Sequence, residues 1–358
     1  MTNYHIEELN HSNENDWEEF NKKTHGGSFF HTLKWKNIIE NSFDCKLHYY
    51  LIYLNDKVIA ICPFCENTIK GFRGLIPLSH SDYRHLLLGK QDFNHLEEII
   101  KKIIEISRKD KHSFVMITTI DQEVKDYLKK YSSLPYPFFR GTGNFVLNLK
   151  ENPPERIWQY NFRWKTRNSI RKFEKNGFTI REATSIDDLK FFYKYYKINL
   201  EYKNRNPYPF SHFERLWNTY SLTEMRTILL CRDEKVHGGL LIFIYPPSKT
   251  MYLRYIAIDR DLGARYKLDV YLCWEGIRFA SNMKFDTVCF GETPNDPNYI
   301  TYKYKKSFGC SYENMYSYIF PFSFAFRMGY NVYKYFNFPQ QFKKIRNKYV
   351  SRSETSID

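Results

Sequence analysis

The chain has 358 residues, of which 42% are apolar and 26% charged, with 30 Tyr, 30 Phe and 6 Trp. So many large rings exclude a disordered or collagen-like polymer, and the length admits two domains whose cores need no disulfide staples. The 54 Lys and Arg outnumber the 40 Asp and Glu to leave a charge of +14, which points to a polyanion, a phosphorylated small molecule or an acidic membrane surface as partner.

No basic and apolar leader opens the sequence, and the longest apolar runs, 238–246 and 318–326, fall far short of the roughly 20 residues that span a bilayer. Seven scattered cysteines suit a reducing compartment rather than a disulfide framework. The expectation is a soluble, cytoplasmic protein.

In chain order, periodicity predicts helices over 17–23 and 32–42, then strands over 47–54 and 58–65 joined in a hairpin at Asn55-Asp56, residues that tolerate positive φ. A helix over 96–108 and a buried strand over 113–119 follow. Prolines at 135, 137, 153 and 154 bracket a strand over 143–149, and a domain junction is expected near residue 150. The second half predicts a basic helix over 163–176 stopped by Gly177, a strand over 178–182, and helices over 186–201 and 212–219. Strands over 226–232, 236–245 and 251–258 lead to a helix over 266–283, a strand over 287–290 and a last strand near Tyr316. The segment 54–60 matches 232–238, so the halves read as a tandem repeat offset by about 178 residues.

Cys62-Pro-Phe-Cys65 lies inside a predicted strand with no second pair near, and reads as two core residues rather than a redox or zinc motif. The 11 histidines show no metal-ligand spacing, so no metal is expected. The helix carrying Arg163, Arg167 and Arg171 at i+4 spacing, with Lys165 and Lys172, suits phosphate oxygens; a solvated basic face is the open alternative. Arg260-Asp-Leu-Gly-Ala-Arg265 is read as a loop between a strand and a helix, and resembles the pyrophosphate loop of GNAT N-acetyltransferases, with Arg265 in place of the last small residue. Arg260, Gly263 and Arg265 are thus candidates for coenzyme A binding. The richest segment is 288–309: a strand ending at Phe290-Gly291, a polar turn, then Tyr304-Lys305-Lys306-Ser-Phe-Gly309. A lysine projected over the end of a sheet strand can stabilise the oxyanion formed when an amine attacks an ester or thioester.

These last residues carry a resemblance. Phe290-Gly291 followed by the 304–309 segment, the helix with Lys165, Arg167, Ile170, Arg171 and Gly177, and the softer matches at 29–35 and 272–277 resemble the FemAB superfamily. Its members extend peptidoglycan stem peptides or act in polysaccharide and envelope synthesis. The resemblance implies an α/β protein of two tandem GNAT-like domains, each a mixed sheet flanked by helices: 1–150, 151–320, and a basic aromatic helix and tail over 321–358 that packs back on the first domain. It implies an acyltransferase that moves an aminoacyl or acyl group onto an amine of an envelope precursor, with aminoacyl-tRNA or acyl-CoA as donor and no tightly bound cofactor. Lys305 would stabilise the tetrahedral intermediate, Arg167 and Lys165 would hold acceptor phosphates, and Arg171, Gly291, Glu292, Tyr304 and Lys306 would complete the substrate site. The expected partners are a nucleotide- or lipid-linked phosphorylated precursor and tRNA.

Asp82, in the polar loop 79–85, is the candidate base, with a turn-forming role as its alternative. The tail, with Arg327, Lys343, Lys344, Arg346 and Lys348, suits an anionic membrane surface at the inner face. Two alternatives stand beside this reading: an acyl-CoA-dependent N-acetyltransferase in exopolysaccharide synthesis, and a non-catalytic module that binds polyanions or lipid headgroups.

Overall fold

The computed structural model describes residues 3–131, 134–135 and 142–335. Its first elements are β1 (Tyr4–Glu8), α1 (Glu14–Lys23), α2 (Leu33–Ser42), β2 (Leu47–Leu54), β3 (Lys57–Ile69), β4 (Phe72–Pro77), β5 (Leu87–Leu88), α3 (Leu96–Lys109), β6 (Phe114–Thr119), α4 (Gln122–Tyr131) and β7 (Leu134–Pro135). There follow β8 (Thr142–Asn148), α5 (Pro154–Arg156), α6 (Trp164–Lys175), β9 (Phe178–Glu182), α7 (Ile186–Tyr202), α8 (Phe210–Thr219), β10 (Met225–Arg232), β11 (Lys235–Tyr245) and β12 (Thr250–Ile258). The chain ends its described part with α9 (Arg260–Tyr266), α10 (Leu268–Asn282), β13 (Thr287–Pro294), α11 (Ile300–Lys306), β14 (Ser311–Pro321) and α12 (Phe324–Tyr335). These residues form two compact units, one of the described residues up to Thr142 together with 314–335 and one of Gly143–Glu313.

In the first unit the strands lie in the order β1-β2-β3-β4-β6-β14, all neighbours antiparallel except β4 and β6. Helix α3 turns Leu96, Ile99, Ile100 and Ile103 onto this sheet and Glu97, Glu98, Lys101 and Lys102 outward, the i, i+3, i+4, i+7 stripe of an amphipathic helix. Helix α12 sets Phe326 and Tyr330 against Phe114, Met116 and Ile319, so the C-terminal helix packs back on the first unit as expected. In the second unit the order is β8-β13-β12-β11-β10-β9, with β12 and β13 parallel and β12, β11, β10 and β9 antiparallel in turn. Its core joins Phe173 and Phe178 to Leu240, Ile242, Leu272 and Ile277.

The expected hairpin turns are present, with positive φ at Asn55 and Asp56 and at Asp233 and Glu234. Four expectations are corrected. The helix expected over 266–283 begins at Leu268, because Lys267 adopts the left-handed conformation (φ 59) and separates α9 from α10. Arg260–Tyr266 is itself a helix rather than a loop: the Asp259 carboxylate accepts from the Asp261 and Leu262 amides, and Gly263 lets the helix sit against Ile258. Strand β13 runs on to Pro294, so Gly291 and Glu292 lie within it, not in a turn. Strand β3 likewise continues to Ile69, and β1 and α4 carried no sequence expectation. Among the described residues no helix is long and apolar enough to cross a membrane. Lys343, Lys344, Arg346 and Lys348 lie outside the described residues.

Candidate active site in the second unit

The 304–309 segment works as an anchor for one ammonium group. Phe308 is buried against Phe290, ring centroids 5.2 Å apart, and against Phe162 at 5.5 Å. Gly309 adopts φ +87 and lies so close to Asn161 that a Cβ there would stand 2.8 Å from its side-chain amide. The short helix α11 is thereby folded back along the end of β13. Lys305, 8% exposed, donates from Nζ to the Gly291 carbonyl at 3.2 Å, the Glu292 carbonyl at 3.3 Å and Thr293 Oγ1 at 2.8 Å. Gly291 (φ 77) bends the strand so that two successive carbonyls face the same cation, a conformation that costs a residue with a Cβ. Glu292 is fully buried, and Tyr312 donates to the Thr293 carbonyl at 2.7 Å. Three acceptors match the three N–H groups of the ammonium. The two carbonyl contacts are long, so a stronger acceptor such as an oxyanion can displace one of them at little cost.

Beside Lys305 the expected site residue Tyr304 joins two proton carriers that sequence reasoning missed, Asp269 and Cys273. Tyr304 Oη lies 3.4 Å from Cys273 Sγ and is also hydrogen-bonded to Asp269. Asp269 and Cys273 are four residues apart on α10 and therefore share a face. Burial raises the Asp269 carboxyl above its ordinary value, pushes the Cys273 thiol up to about 12, and holds the Tyr304 phenol well above its usual range. Thiol and phenol both keep their protons at neutral pH. The i+4 spacing was visible in the sequence, but nothing there pairs α10 with α11.

The basic helix is only partly the open cationic stripe that its spacing suggests. Arg167 Nη1 donates to the carbonyls of Trp158 at 3.1 Å, Gln159 at 3.1 Å and Phe162 at 2.8 Å, closing the one-turn π-helix Ile157–Asn161. The Arg171 guanidinium lies 5.4 Å from the centre of the Trp158 ring, and Lys165 is exposed. Arg167, Trp158, Trp274, Gln159, Glu155, Pro154 and Arg278 line a cleft of about 540 Å³. One face of that cleft is aromatic, Trp158 and Trp274 having ring centroids 5.5 Å apart.

The remaining expected site residues are dispersed. Lys306 is exposed on the far side of α11 from the anchor formed by Lys305. The first-turn amides of α9, which a diphosphate would need, already go to the Asp259 carboxylate; Arg260 stacks on Tyr202 and Arg265 lies 5.2 Å from the Tyr266 ring. Asp82 belongs to the first unit, buried next to Ser81, whose hydroxyl accepts from Trp35 Nε1 at 2.8 Å.

The family described as Acetyltransferase (GNAT) domain matches residues 161–306. No curated protein matches the sequence. Among solved structures, FemX superposes with a TM-score of 0.69 at 12% identity over 89% of this chain and 97% of its own. A tandem GNAT protein from the clavulanic acid biosynthesis pathway gives 0.57 at 8% identity over 89% and 98%. L-PGS from Bacillus licheniformis gives 0.54 at 11% identity over 90% and 96%. At these identities the likeness is one of fold, and the match over 161–306 places the acyltransferase domain on the unit that carries Lys305. The chain has a tandem GNAT-like fold like that of FemX, and the match over 161–306 gives its second unit the class of an acyltransferase.

Proposed function

We propose that the chain transfers an acyl or aminoacyl group from an activated ester or thioester to an amine of a cell-envelope precursor, with the carbonyl activated at Lys305. The observation that carries this reading is the buried ammonium held at the bend of β13 by two long carbonyl contacts and one short hydroxyl contact. As the amine attacks, the carbonyl oxygen gains charge; Lys305 exchanges one carbonyl for that oxyanion, which lowers the barrier more than it lowers the ground state. Tyr304, protonated and adjacent on α11, relays the proton that the attacking amine sheds to the departing group, giving up its own proton and regaining one from the amine. The cleft with Arg167, Arg278 and the paired tryptophans takes a phosphate-bearing portion of donor or acceptor, its rings stacking on a planar group and its guanidiniums pairing with oxygens.

The test is label transfer by the purified chain from acyl-CoA and from aminoacyl-tRNA to a panel of amine acceptors, nucleotide-linked and lipid-linked among them. Transfer that falls steeply in Lys305→Ala supports the reading, and an undiminished rate removes Lys305 from the chemistry. A second reading, an acetyl-CoA-dependent N-acetyltransferase, is favoured by the family match over 161–306. Calorimetric binding of coenzyme A together with acetyl transfer from acetyl-CoA supports this second reading, whereas transfer from aminoacyl-tRNA with no coenzyme A binding supports the first.

A further inference from the structure

The first unit contains a cluster that sequence spacing could not show. His48 on β2, Glu66 on β3 and His112, which precedes β6, offer three ligand atoms that all lie within 4.8 Å of one another. His112 Nε2 is 3.1 Å and His48 Nε2 is 3.5 Å from the same oxygen, Glu66 Oε2. Both distances are close to the edge, about 3.4 Å, of a tetrahedron built on zinc bonds of about 2.0 to 2.1 Å to imidazole nitrogen and carboxylate oxygen, and the third pair of ligand atoms lies within 4.8 Å.

The hydrogen bonds around His48 fix which way its ring presents itself. Nδ1 lies 2.9 Å from Glu8 Oε1, an acceptor, so Nδ1 carries the proton. Tyr50 Oη, 3.3 Å from the same nitrogen, is also within hydrogen-bond reach of Asp110, so it can stand beside that Nδ1–H without claiming its lone pair. Nε2 is left with a lone pair aimed at a carboxylate oxygen, buried and without a hydrogen bond. A bare imidazole nitrogen and a carboxylate oxygen 3.5 Å apart repel unless a proton or a metal ion lies between them. A carboxylate on the outer nitrogen is also the arrangement that orients metal-ligating imidazoles. The cluster is peculiar to this unit: 178 residues on, the second unit has Arg226 in place of His48 and Ile244 in place of Glu66, and Arg226 pairs with Glu182.

We propose that His48, Glu66 and His112 bind one divalent transition-metal ion of the zinc class, with Glu8 holding His48 in register and water completing the coordination. Two imidazoles and a carboxylate suit zinc and cobalt rather than magnesium or calcium. Lys46 Nζ, 3.4 Å from Glu66 Oε2 on a side chain that is 65% exposed, is the counterion the metal displaces by letting the lysine swing into water. Arg73 remains beside the other carboxylate oxygen, Nε to Oε1 3.7 Å. An ion there ties β2 and β3 to the segment that enters β6.

The test uses the untagged full-length chain, stripped with chelator and titrated with Co²⁺ alone and then with Zn²⁺. One Co²⁺ per chain is expected, with the visible absorption of a four-coordinate nitrogen and oxygen site, no thiolate charge-transfer band, and displacement by Zn²⁺. His48→Ala and His112→Ala should abolish that spectrum, and Glu8→Gln should weaken binding about 10- to 100-fold. Lys46→Ala should tighten it, a gain that damage to the fold cannot produce. A thiolate band, a spectrum indifferent to both histidine variants, or no stoichiometric uptake overturns the proposal and leaves a proton-bridged imidazole and carboxylate cluster.

Discussion

The two units are built on one hairpin, used twice. In the first, Ile52 pairs with Ala60 and Tyr53 with Val58, so Ile59 is an extra residue in β3; in the second, Leu230 pairs with Gly238 and Cys231 with Val236, so His237 is the extra residue in β11. Turn and bulge both recur at an offset of 178 residues, and the parallel pair follows the same order in each sheet. At that pair the packing is exchanged: Gly74 faces Phe114 in the first unit, where Tyr252 faces Cys289 in the second. The frame was copied and the loops diverged. After its parallel strand the second unit bends at Gly291 and returns a lysine on α11, whereas the first runs through Asp121 into α4, and the first unit alone assembles two histidines and a glutamate across its hairpin. The clustered polar side chains thus stand at different places in units that share a backbone plan.

The sharpest way to break this comparison is Lys305→Ala. If the second unit holds the oxyanion donor, the rate of acyl transfer should drop about 100- to 1,000-fold, or roughly 3 to 4 kcal/mol in the barrier, with KM little changed. Thermal unfolding run alongside distinguishes a lost donor from a lost brace: a role confined to holding Gly291–Thr293 would move the melting temperature and spare kcat. Lys305→Arg keeps the charge but replaces a compact ammonium by a planar fork, and should recover only part of the rate.

Next in size is acid sensitivity of the first unit. His31 is completely buried, accepts from Ser28 at 2.8 Å through Nδ1 and donates to the His85 carbonyl at 3.1 Å, a neutral imidazole fully satisfied. Burial lowers its pKa to about 4, and burial together with His31 holds that of His85 well below its ordinary value. The unfolded chain takes up these protons near pH 6.5 and the folded one does not, so stability present above pH 6.5 is lost as pH falls toward 4. For His31 the loss is about 3 kcal/mol at most. Urea titrations at pH 7 and pH 4.5 should show it, and His31→Gln should flatten the slope even if it lowers stability at pH 7.

What could be read in the sequence was what is decided locally. Asn55-Asp56, Gly177 and the stripe of α3 each act within a turn or two of the chain, and each stands where periodicity and turn chemistry put it. Lys305 could be named because Phe308 and Gly309 travel with it in sequence. The break at Lys267 could not: it depends on Asp259 capping a helix and Gly263 fitting Ile258, so a segment with a mid-helix glycine read as a loop. Nor could the Asp269, Cys273 and Tyr304 group, which needs α10 and α11 side by side, or the pairing of His48 with a glutamate and a histidine, which strand register alone brings together. Nor does i+4 spacing reveal that Arg167, read as a phosphate ligand, also directs Nη1 to the carbonyls of a π-turn beneath it.

Exchanged packing at the parallel pair gives a third test. A Cβ on Gly74 would stand 2.5 Å from the Phe114 ring, which is itself fully buried and stacked on Phe326 of α12. Gly74→Ala should therefore cost about 1 to 3 kcal/mol through overpacking. Phe114→Leu in the same chain should restore part of it, since the smaller side chain makes room for the methyl. Equal destabilisation by Gly74→Ala with and without Phe114→Leu would mean that the two positions do not share one space.

The smallest effect separates the units by pH. Asp188 is buried at the start of α7, receives both Nη groups of Arg181 at 2.8 and 2.6 Å and the Thr184 amide at 2.9 Å, and has its pKa lowered to about 2, chiefly by the Arg181 hydrogen bonds. Its sign is that of a depressed carboxyl: the stability it gives is complete above the unfolded value near 4 and is lost as pH falls through 2. Because the Arg181 side chain is nearly half exposed, solvent screens the pair, and about 1 kcal/mol is the expected contribution. Asp188→Asn should thus lower the stability of the second unit by that amount at pH 6 and by almost nothing at pH 2. The first unit, with its histidines, loosens between pH 6.5 and 4, while the second holds until the carboxylates protonate. Peptide-resolved hydrogen exchange across that range should show exchange rising first in β2 and β3 and only later in β10 and β11; simultaneous loss would mean that the copies unfold as one cooperative body.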